Sequence, residues 1–251
     1  MTYHRLFGAV WRSATLMGDG HMTQQILTQR AVRFYDRYGW ELESIRKLLH
    51  IQLDQLALAY TLENGLPRKA VQVVSRTKEL KNFILKLEKM GWPEFYLPTE
   101  VVHDLIGARV ICWFQDDCYG MLDLLRDSIR IGLVPDSVED YIARPKPSGY
   151  RAVHVLGNVT YDQVIRTKAK HHITAGKMIC EIQIRTLLQD AWGELTHQMH
   201  YKILKPSRRQ YNELVSTMAD RLADEDRAAV AIRKLMQLDR EQRKKVGFKA
   251  G

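Results

Sequence analysis

Residues 178–201, MICEIQIRTLLQDAWGELTHQMHY, change their hydrophobic period at one point. Before it, Glu181, Gln183 and Arg185 recur at every second residue, and Ile182 and Ile184 take the places between. Successive side chains of an extended chain point to opposite faces, so the carboxylate, amide and guanidinium share one face and the isoleucines the other. After it, Thr186–Tyr201 follows helical spacing with Thr186 as a cap. A strand running into a helix reads as part of an α/β core. Three polar residues in succession on one face make either a solvated sheet surface or a site.

Working outward, Ala152–Val159 is a second Val-rich strand, and the polar stretch Tyr161–Gly176 between the two is loop or hairpin. Upstream, Ala108–Phe114 reads as a buried strand followed by a helix over Asp116–Arg130 carrying Met121, Leu122, Leu124 and Leu125. Ser137–Ile142 reads as a short strand leading into the turn-rich loop ARPKPSGY. Toward the N-terminus, Leu42, Ile45, Leu49, Leu53, Leu56 and Tyr60 form one apolar stripe of a helix spanning about 24–63, closed by Asn64-Gly65 and Pro67. A short strand at Val71–Val74 and a basic helix over Lys78–Met90 follow. A last helix, Tyr211–Arg243, sets Tyr211, Leu214, Val215, Met218 and Leu222 on one face for packing or subunit contact. The fold class expected is α/β (α+β) with flanking helices, divided as an irregular leader 1–22, a core 23–205 and a basic helical extension 206–251. Met22 is an alternative translation start. Trp40, Trp92 and Trp113 read as core anchors.

The 251 residues are 45% hydrophobic and 27% charged, enough to bury a core and against wholesale disorder. No apolar run approaches the roughly 20 residues that span a bilayer. The leader lacks a secretory signal's apolar centre and cleavage site. Cys112, Cys118 and Cys180 cannot all pair with one another, so a disulfide framework is not expected and a reducing cytoplasm is. The formal charge of +9 is uneven: 65–90 carries seven basic against two acidic residues, 202–251 thirteen against seven, and 91–201 eleven against fourteen. Basic segments of this kind suit nucleotide phosphates or RNA, or are solvated helix faces.

Three segments place charge in strand or turn contexts: Asp104–Arg109, Glu139–His154 and Glu181–Thr186. Two carboxylates on neighbouring strands of a small sheet suit Mg²⁺, which prefers oxygen ligands and shares them with substrate phosphates. Arg76, Lys78, Lys86 and Arg109 supply cations for a polyphosphate. In PKPSGY, Lys146 offers a further phosphate cation and Tyr150 a flat surface for a base; the alternative is a core tyrosine and a solvated lysine.

The ordered set R-x-K-x₇-K (Arg76, Lys78, Lys86), DLIGARVI, EDYIARPKPSGYRAVH, EIQIRT and W-x₄-H-x₃-YK (Trp192, His197, Tyr201, Lys202) resembles the synthetase domain of the RelA/SpoT homologues. The resemblance covers roughly residues 40–205 and implies a nucleotidyltransferase-like mixed β-sheet with flanking helices. It implies transfer of pyrophosphate from ATP to the 3′-hydroxyl of GDP or GTP, making the alarmone (p)ppGpp. By it, Asp104 and Glu181 are the Mg²⁺ ligands, and Glu181 also orients or deprotonates the attacking hydroxyl. Arg76, Lys78, Lys86 and Arg109 match ATP contacts. Tyr150 matches the tyrosine that stacks on guanine, Lys146 and His154 match acceptor-site residues, and Gln183 and Arg185 line the same cleft. With little sequence ahead of this core and little after it, the chain resembles a free-standing small alarmone synthetase that assembles as a homo-oligomer. Toxic relatives keep the same motifs but pyrophosphorylate the 3′ end of tRNA or make (p)ppApp, and such a toxin implies a protein antitoxin. The acceptor stays open at this point.

Overall fold

The structure, a computed structural model, describes residues 22–166, 170–200, 204 and 207–247. The leader ahead of Met22, and the motif residues Tyr201 and Lys202, lie outside them. Among the described residues six strands form one sheet: β1 (Val71–Thr77), β2 (Ile106–Cys112), β3 (Ile131–Leu133), β4 (Glu139–Asp140), β5 (Val153–Arg166) and β6 (His171–Thr186). Their order is β1-β2-β6-β5-β3, with β4 also paired to β5. β2 and β6 run parallel and every other pair antiparallel, so the sheet is mixed.

The period change of residues 178–201 places β6 at the centre. Its even-numbered residues Met178, Cys180, Ile182 and Ile184 are buried in the core. Helix α1 (Gln24–Glu63) covers that face beside α3 (Gln115–Arg126). The Thr23 hydroxyl caps α1 by accepting from the Ile26 amide, and Asn64 with Gly65 at φ +61° closes it. Its stripe buries Leu42, Ile45, Leu49 and Leu53, each about 1.5–3 kcal/mol of transfer free energy. Leu56 and Tyr60, at the stripe's edge, are half-buried. The basic helix α2 (Leu80–Lys89) buries only Phe83 and Leu87, turns Lys81 and Lys89 outward and leaves Lys86 half-buried. Cys112, Cys118 and Cys180 are free and buried.

Three expectations change, and one left open is decided. Of loop or hairpin at 161–176, the described residues form paired strands: β5 and β6 stay in register from Tyr161↔Gly176 to Arg166↔His171. Polar residues on both faces hide the period-two signal there. A Cβ on Gly176 would stand 2.7 Å from the Tyr161 ring, so the glycine gives that ring its seat. The strand at 137–142 shrinks to Glu139–Asp140, because the Asp140 carboxylate accepts from the amides of Ile142 and Ala143 at 2.9 and 3.0 Å and turns the chain. Trp40 is 89% exposed and anchors nothing, whereas Trp192 is buried at 4%.

The last helix, α5 (Arg208–Gly247), turns Leu214 outward at 64% exposure, half-buries Tyr211, Val215, Met218 and Leu222, and packs most deeply through Ala219, Ala223 and Asp226. It is bound into the core by charge. Arg233 pairs with Asp116 and Asp117 and lies 4.2 Å over the Phe114 ring, and Asp117 also accepts from the Tyr60 hydroxyl.

Asp226 on α5 is buried and accepts from Thr186 Oγ1 at 2.7 Å and Gln189 Nε2 at 3.3 Å. Burial pushes its carboxyl above the usual range, against those hydrogen bonds and the charges of Arg151 and Arg227. A raised folded-state pKa contributes stability that is complete below the unfolded value and is lost as pH rises through the folded one. Asp226→Asn keeps an acceptor for Thr186 and presents an amide to Gln189, whose Oε1 lacks a hydrogen-bond partner among the described residues. The variant is expected to melt roughly 2–4 °C higher at pH 8, the shift for about 1 kcal/mol in a chain of this size. The gain should shrink toward pH 4 in a melting series; a variant less stable at every pH contradicts the burial argument.

Candidate active site

Residues in register on adjacent strands point to the same face of a sheet. Two rows therefore cross the face opposite α1: Arg76–Gly107–Glu181–Leu156, and Val74–Arg109–Gln183–His154–Glu139. Gly107 puts no side chain between Arg76 and Glu181, and a Cβ there would meet nothing nearer than 4.0 Å. The middle of the polar face is open beside the carboxylate.

Asp104 precedes β2 and is held from two sides. Lys78 Nζ, just past the end of β1, stands 3.0 Å from one carboxylate oxygen, and Lys86 Nζ, from α2, donates to the other at 2.8 Å. The Lys78 amide donates to the Leu105 carbonyl at 2.7 Å, which ties the two segments together. Burial acts to raise the Asp104 carboxyl, but the two lysines outweigh it and hold it below the usual range. Arg76 is exposed on the same face.

Glu181 anchors a second cluster. His154 Nδ1 lies 3.4 Å from Glu181 Oε1, and Gln183 Nε2 donates to Oε2 at 2.8 Å. The other histidine nitrogen is 2.7 Å from the Tyr150 hydroxyl, so a proton on Nδ1 toward the carboxylate leaves Nε2 to accept from the tyrosine. Burial pushes Glu181 up, yet His154 and Gln183 hold it below the ordinary carboxylate range, while the charge of Asp104 works against them. The two carboxylates thus sense each other. Tyr150, raised to about 12 chiefly by burial, keeps its proton.

The Tyr150 ring has walls on three sides: Tyr141 at 6.3 Å, His154 at 5.5 Å and Trp192 at 6.3 Å between centroids. Lys146 Nζ sits 4.1 Å over Tyr141 and 5.5 Å over Tyr150, an ammonium held against two π faces. Gly149, at φ +85°, makes the turn that brings Lys146 and Tyr150 together.

The remaining two residues face helix α4 (Leu187–His200). Arg109 pairs with Glu194 and lies 3.6 Å from Asp190. Arg185 is only 3% exposed, and its Nε is 3.0 Å from Asp190 Oδ1 without directing a hydrogen bond at it. Arg185 therefore underlies the cleft rather than opening onto it. Gly193 lets α4 approach, because a Cβ there would come within 2.8 Å of the Arg185 guanidinium. The structure brings Asp104, Lys78 and Lys86 into one cluster, and Glu181, Gln183, His154 and Tyr150 into another. Tyr141, Asp190 and Glu194 were not assigned from sequence. The two acids stand at i and i+4 on the helix that follows Arg185, a spacing that places both on one helix face and was readable.

Among the described residues, no three or more His, Cys, Asp or Glu side chains group so as to hold a metal by themselves. Two hard carboxylates, ionised and flanked by cations, fit an ion that takes its remaining oxygens from phosphate and water. That is the donor set of Mg²⁺ rather than of a closed Zn²⁺ site.

A family model described as a region found in RelA / SpoT proteins matches residues 75–205. The GTP pyrophosphokinase YwaC of Bacillus subtilis is 31% identical over 147 residues, 58% of this chain and 65% of that protein. The GTP pyrophosphokinase YjbM of the same organism is 31% identical over 130 residues, 52% of this chain and 56% of its own length. The chain thus spans less than two thirds of either relative. Among solved structures, small alarmone synthetase 2 of Bacillus subtilis superposes with a TM-score of 0.62 at 26% identity, covering 78% of this chain and 98% of that one. Small alarmone synthetase 1 of Bacillus subtilis, bound to its product pppGpp, has the same fold, with a TM-score of 0.65 at 23% identity over 81% of this chain and 98% of that one.

The balance at Glu181 can be tested directly. His154→Ala removes one of the two groups that outweigh burial and leaves Gln183, so the Glu181 pKa is expected to rise. In the unmodified protein it should titrate below the ordinary carboxylate range. Carboxyl-selective NMR titration of both proteins checks the sign; a Glu181 that titrates lower in the variant contradicts it.

Proposed function

We propose that this chain, which belongs to the RelA/SpoT family, transfers the β,γ-pyrophosphoryl group of ATP to the 3′-hydroxyl of GDP or GTP, releasing AMP and forming (p)ppGpp. The observation that carries the reading is the Tyr150–His154–Glu181 chain, at 2.7 and 3.4 Å, whose carboxylate feels the charge of Asp104 in the Lys78–Asp104–Lys86 cluster. An aromatic seat for a base and a cation-lined seat for phosphates meet at one carboxylate.

The roles are those the family resemblance implies, and the charges and positions described above support them. Arg76, Lys78 and Lys86 hold the ATP phosphates, with Arg109 beside the adenine or phosphates. Tyr150 stacks on the guanine, Lys146 neutralises acceptor phosphate, and Gln183 and His154 fix the Glu181 carboxylate. The ribose 3′-oxygen attacks the β-phosphorus, the bond from that phosphorus to the α–β bridging oxygen breaks, and AMP leaves. Glu181 accepts the hydrogen bond of the attacking hydroxyl. A carboxylate held below the usual range is a weak proton sink, so its larger share is orientation. That suffices, because a loose phosphoryl-transfer transition state is stabilised mainly by positioning and electrostatics. Asp104 and Glu181 are the residues that would hold Mg²⁺, which when bound neutralises charge on the transferring phosphates.

Purified protein with Mg²⁺ and γ-labelled ATP is expected to label GDP and GTP as guanosine tetra- and pentaphosphate on thin-layer chromatography. Deacylated tRNA and adenosine nucleotides should stay unlabelled. Label on tRNA with the guanosine nucleotides untouched would overturn the reading. Asp104→Asn and Glu181→Gln are each expected to reduce transfer at least about a hundredfold, on the scale of losing a group that stabilises transition-state charge, with circular dichroism unchanged. Near-normal turnover in either variant removes its residue from the mechanism.

A further inference from the structure

Helix α5 lies beyond residues 75–205, the part of the chain that the family model matches. One of its turns nevertheless touches the acceptor loop on both sides of Tyr150. At Gly149 the loop backbone presses against the helix so closely that a Cβ would stand 2.5 Å from the Ala219 methyl and 3.3 Å from Ser216 Cα. At Arg151, Nη1 donates to the Gly149 carbonyl at 3.1 Å and Nη2 to the Asp220 carboxylate at 3.0 Å. The guanidinium fork therefore fastens the loop to α5. Trp192, a wall of the Tyr150 ring, donates its indole N–H to the Val215 carbonyl at 3.0 Å.

We infer that the turn Val215–Asp220 of α5 positions Tyr150 for the acceptor base, with Asp220 as the positioning residue. The inference rests on the acceptor-site reading of Tyr150 given above. Gly149 and Arg151 are the sequence neighbours of that tyrosine, so holding both fixes the backbone between them. Holding Trp192 through Val215 fixes one side of the space the ring occupies. A mostly buried Arg151, whose side chain is 14% exposed, also needs a counter-charge, and Asp220 supplies one from the solvent edge. With Asp220 neutralised, Arg151 keeps Gly149 but loses its counter-charge on the helix, where at most the weaker neutral acceptor of an amide remains. On the ATP side, Lys78, Lys86 and Asp104 are organised by β1, β2 and α2 rather than by this turn among the described residues, and Arg109 pairs with Asp190 and Glu194 of α4.

The test compares Asp220→Asn and Asp220→Glu in the full chain. Asp220 is 64% exposed, so neither variant threatens the core. In Asp220→Asn, the Lys146 and Gly149 amides, which donate to the Tyr150 and Lys146 carbonyls, are expected to exchange with deuterium faster while β6 keeps its protection. The KM for GDP or GTP should rise about three- to fivefold, the scale of a half-exposed ion pair. The KM for ATP and kcat should stay within about twofold, and Asp220→Glu should recover most of the loss. Unchanged loop exchange overturns the inference whatever the protein's activity. Equal rises in both KM values, or an unchanged acceptor KM in an active enzyme, overturn it as well. Faster loop exchange in a protein that transfers nothing to guanosine nucleotides leaves the coupling standing and sinks the proposed reaction instead.

Discussion

Strand β6 occupies the middle of the sheet and has to satisfy two environments at once. Its even-numbered residues close the core against α1 and α3, and its odd-numbered ones put a carboxylate, an amide and a guanidinium onto the opposite face. Charged groups that far from open water are costly unless each has a partner. The partners come from distant parts of the chain: His154 from β5 for Glu181, Asp190 from α4 for Arg185.

The same requirement divides the site into two ends. At one end β1, α2 and the entry to β2 assemble cations around Asp104, so phosphate binding and the state of that carboxylate are coupled. At the other, β5, the 146–151 loop and α4 assemble aromatic rings around Tyr150. Glu181 lies where the two meet, in register with Gly107, whose lack of a side chain leaves space beside the carboxylate. Both carboxyls are held ionised by groups that would also contact substrate. Binding and charge balance are therefore not separable properties of this face.

Helix α5 packs on the core although its composition is that of a basic segment. Its basic residues and the change of charge near residue 202 suggest an appended extension. In the fold its Ala219–Ala223–Asp226 face is buried, and Arg233 reaches Asp116 and Asp117. Small residues and one buried acid make a weak apolar stripe, so the true packing face lies beside the one marked by Leu214. Trp40 carries the opposite lesson: a large aromatic on an amphipathic helix belongs to the core only if its angle around the axis points there, and this one is off the stripe. At 161–166 and 171–176 the sequence left loop and hairpin open, because neither face of the paired strands is uniformly apolar.

Much of the protein was legible in the sequence by itself. The alternation at 181–185, the α1 stripe, the βα step and the ordered motifs determined the mixed sheet, its helical cover and the list of chemical residues, because period and residue type are local properties. Tertiary structure alone decided which of those residues pair. Asp104 meets Lys78 and Lys86, Glu181 meets His154, Arg185 is shut in against α4, and Arg151 clasps a turn of α5. Pairing depends on strand register and helix placement, which are set by the packing of the whole core and are written in no single stretch of the chain.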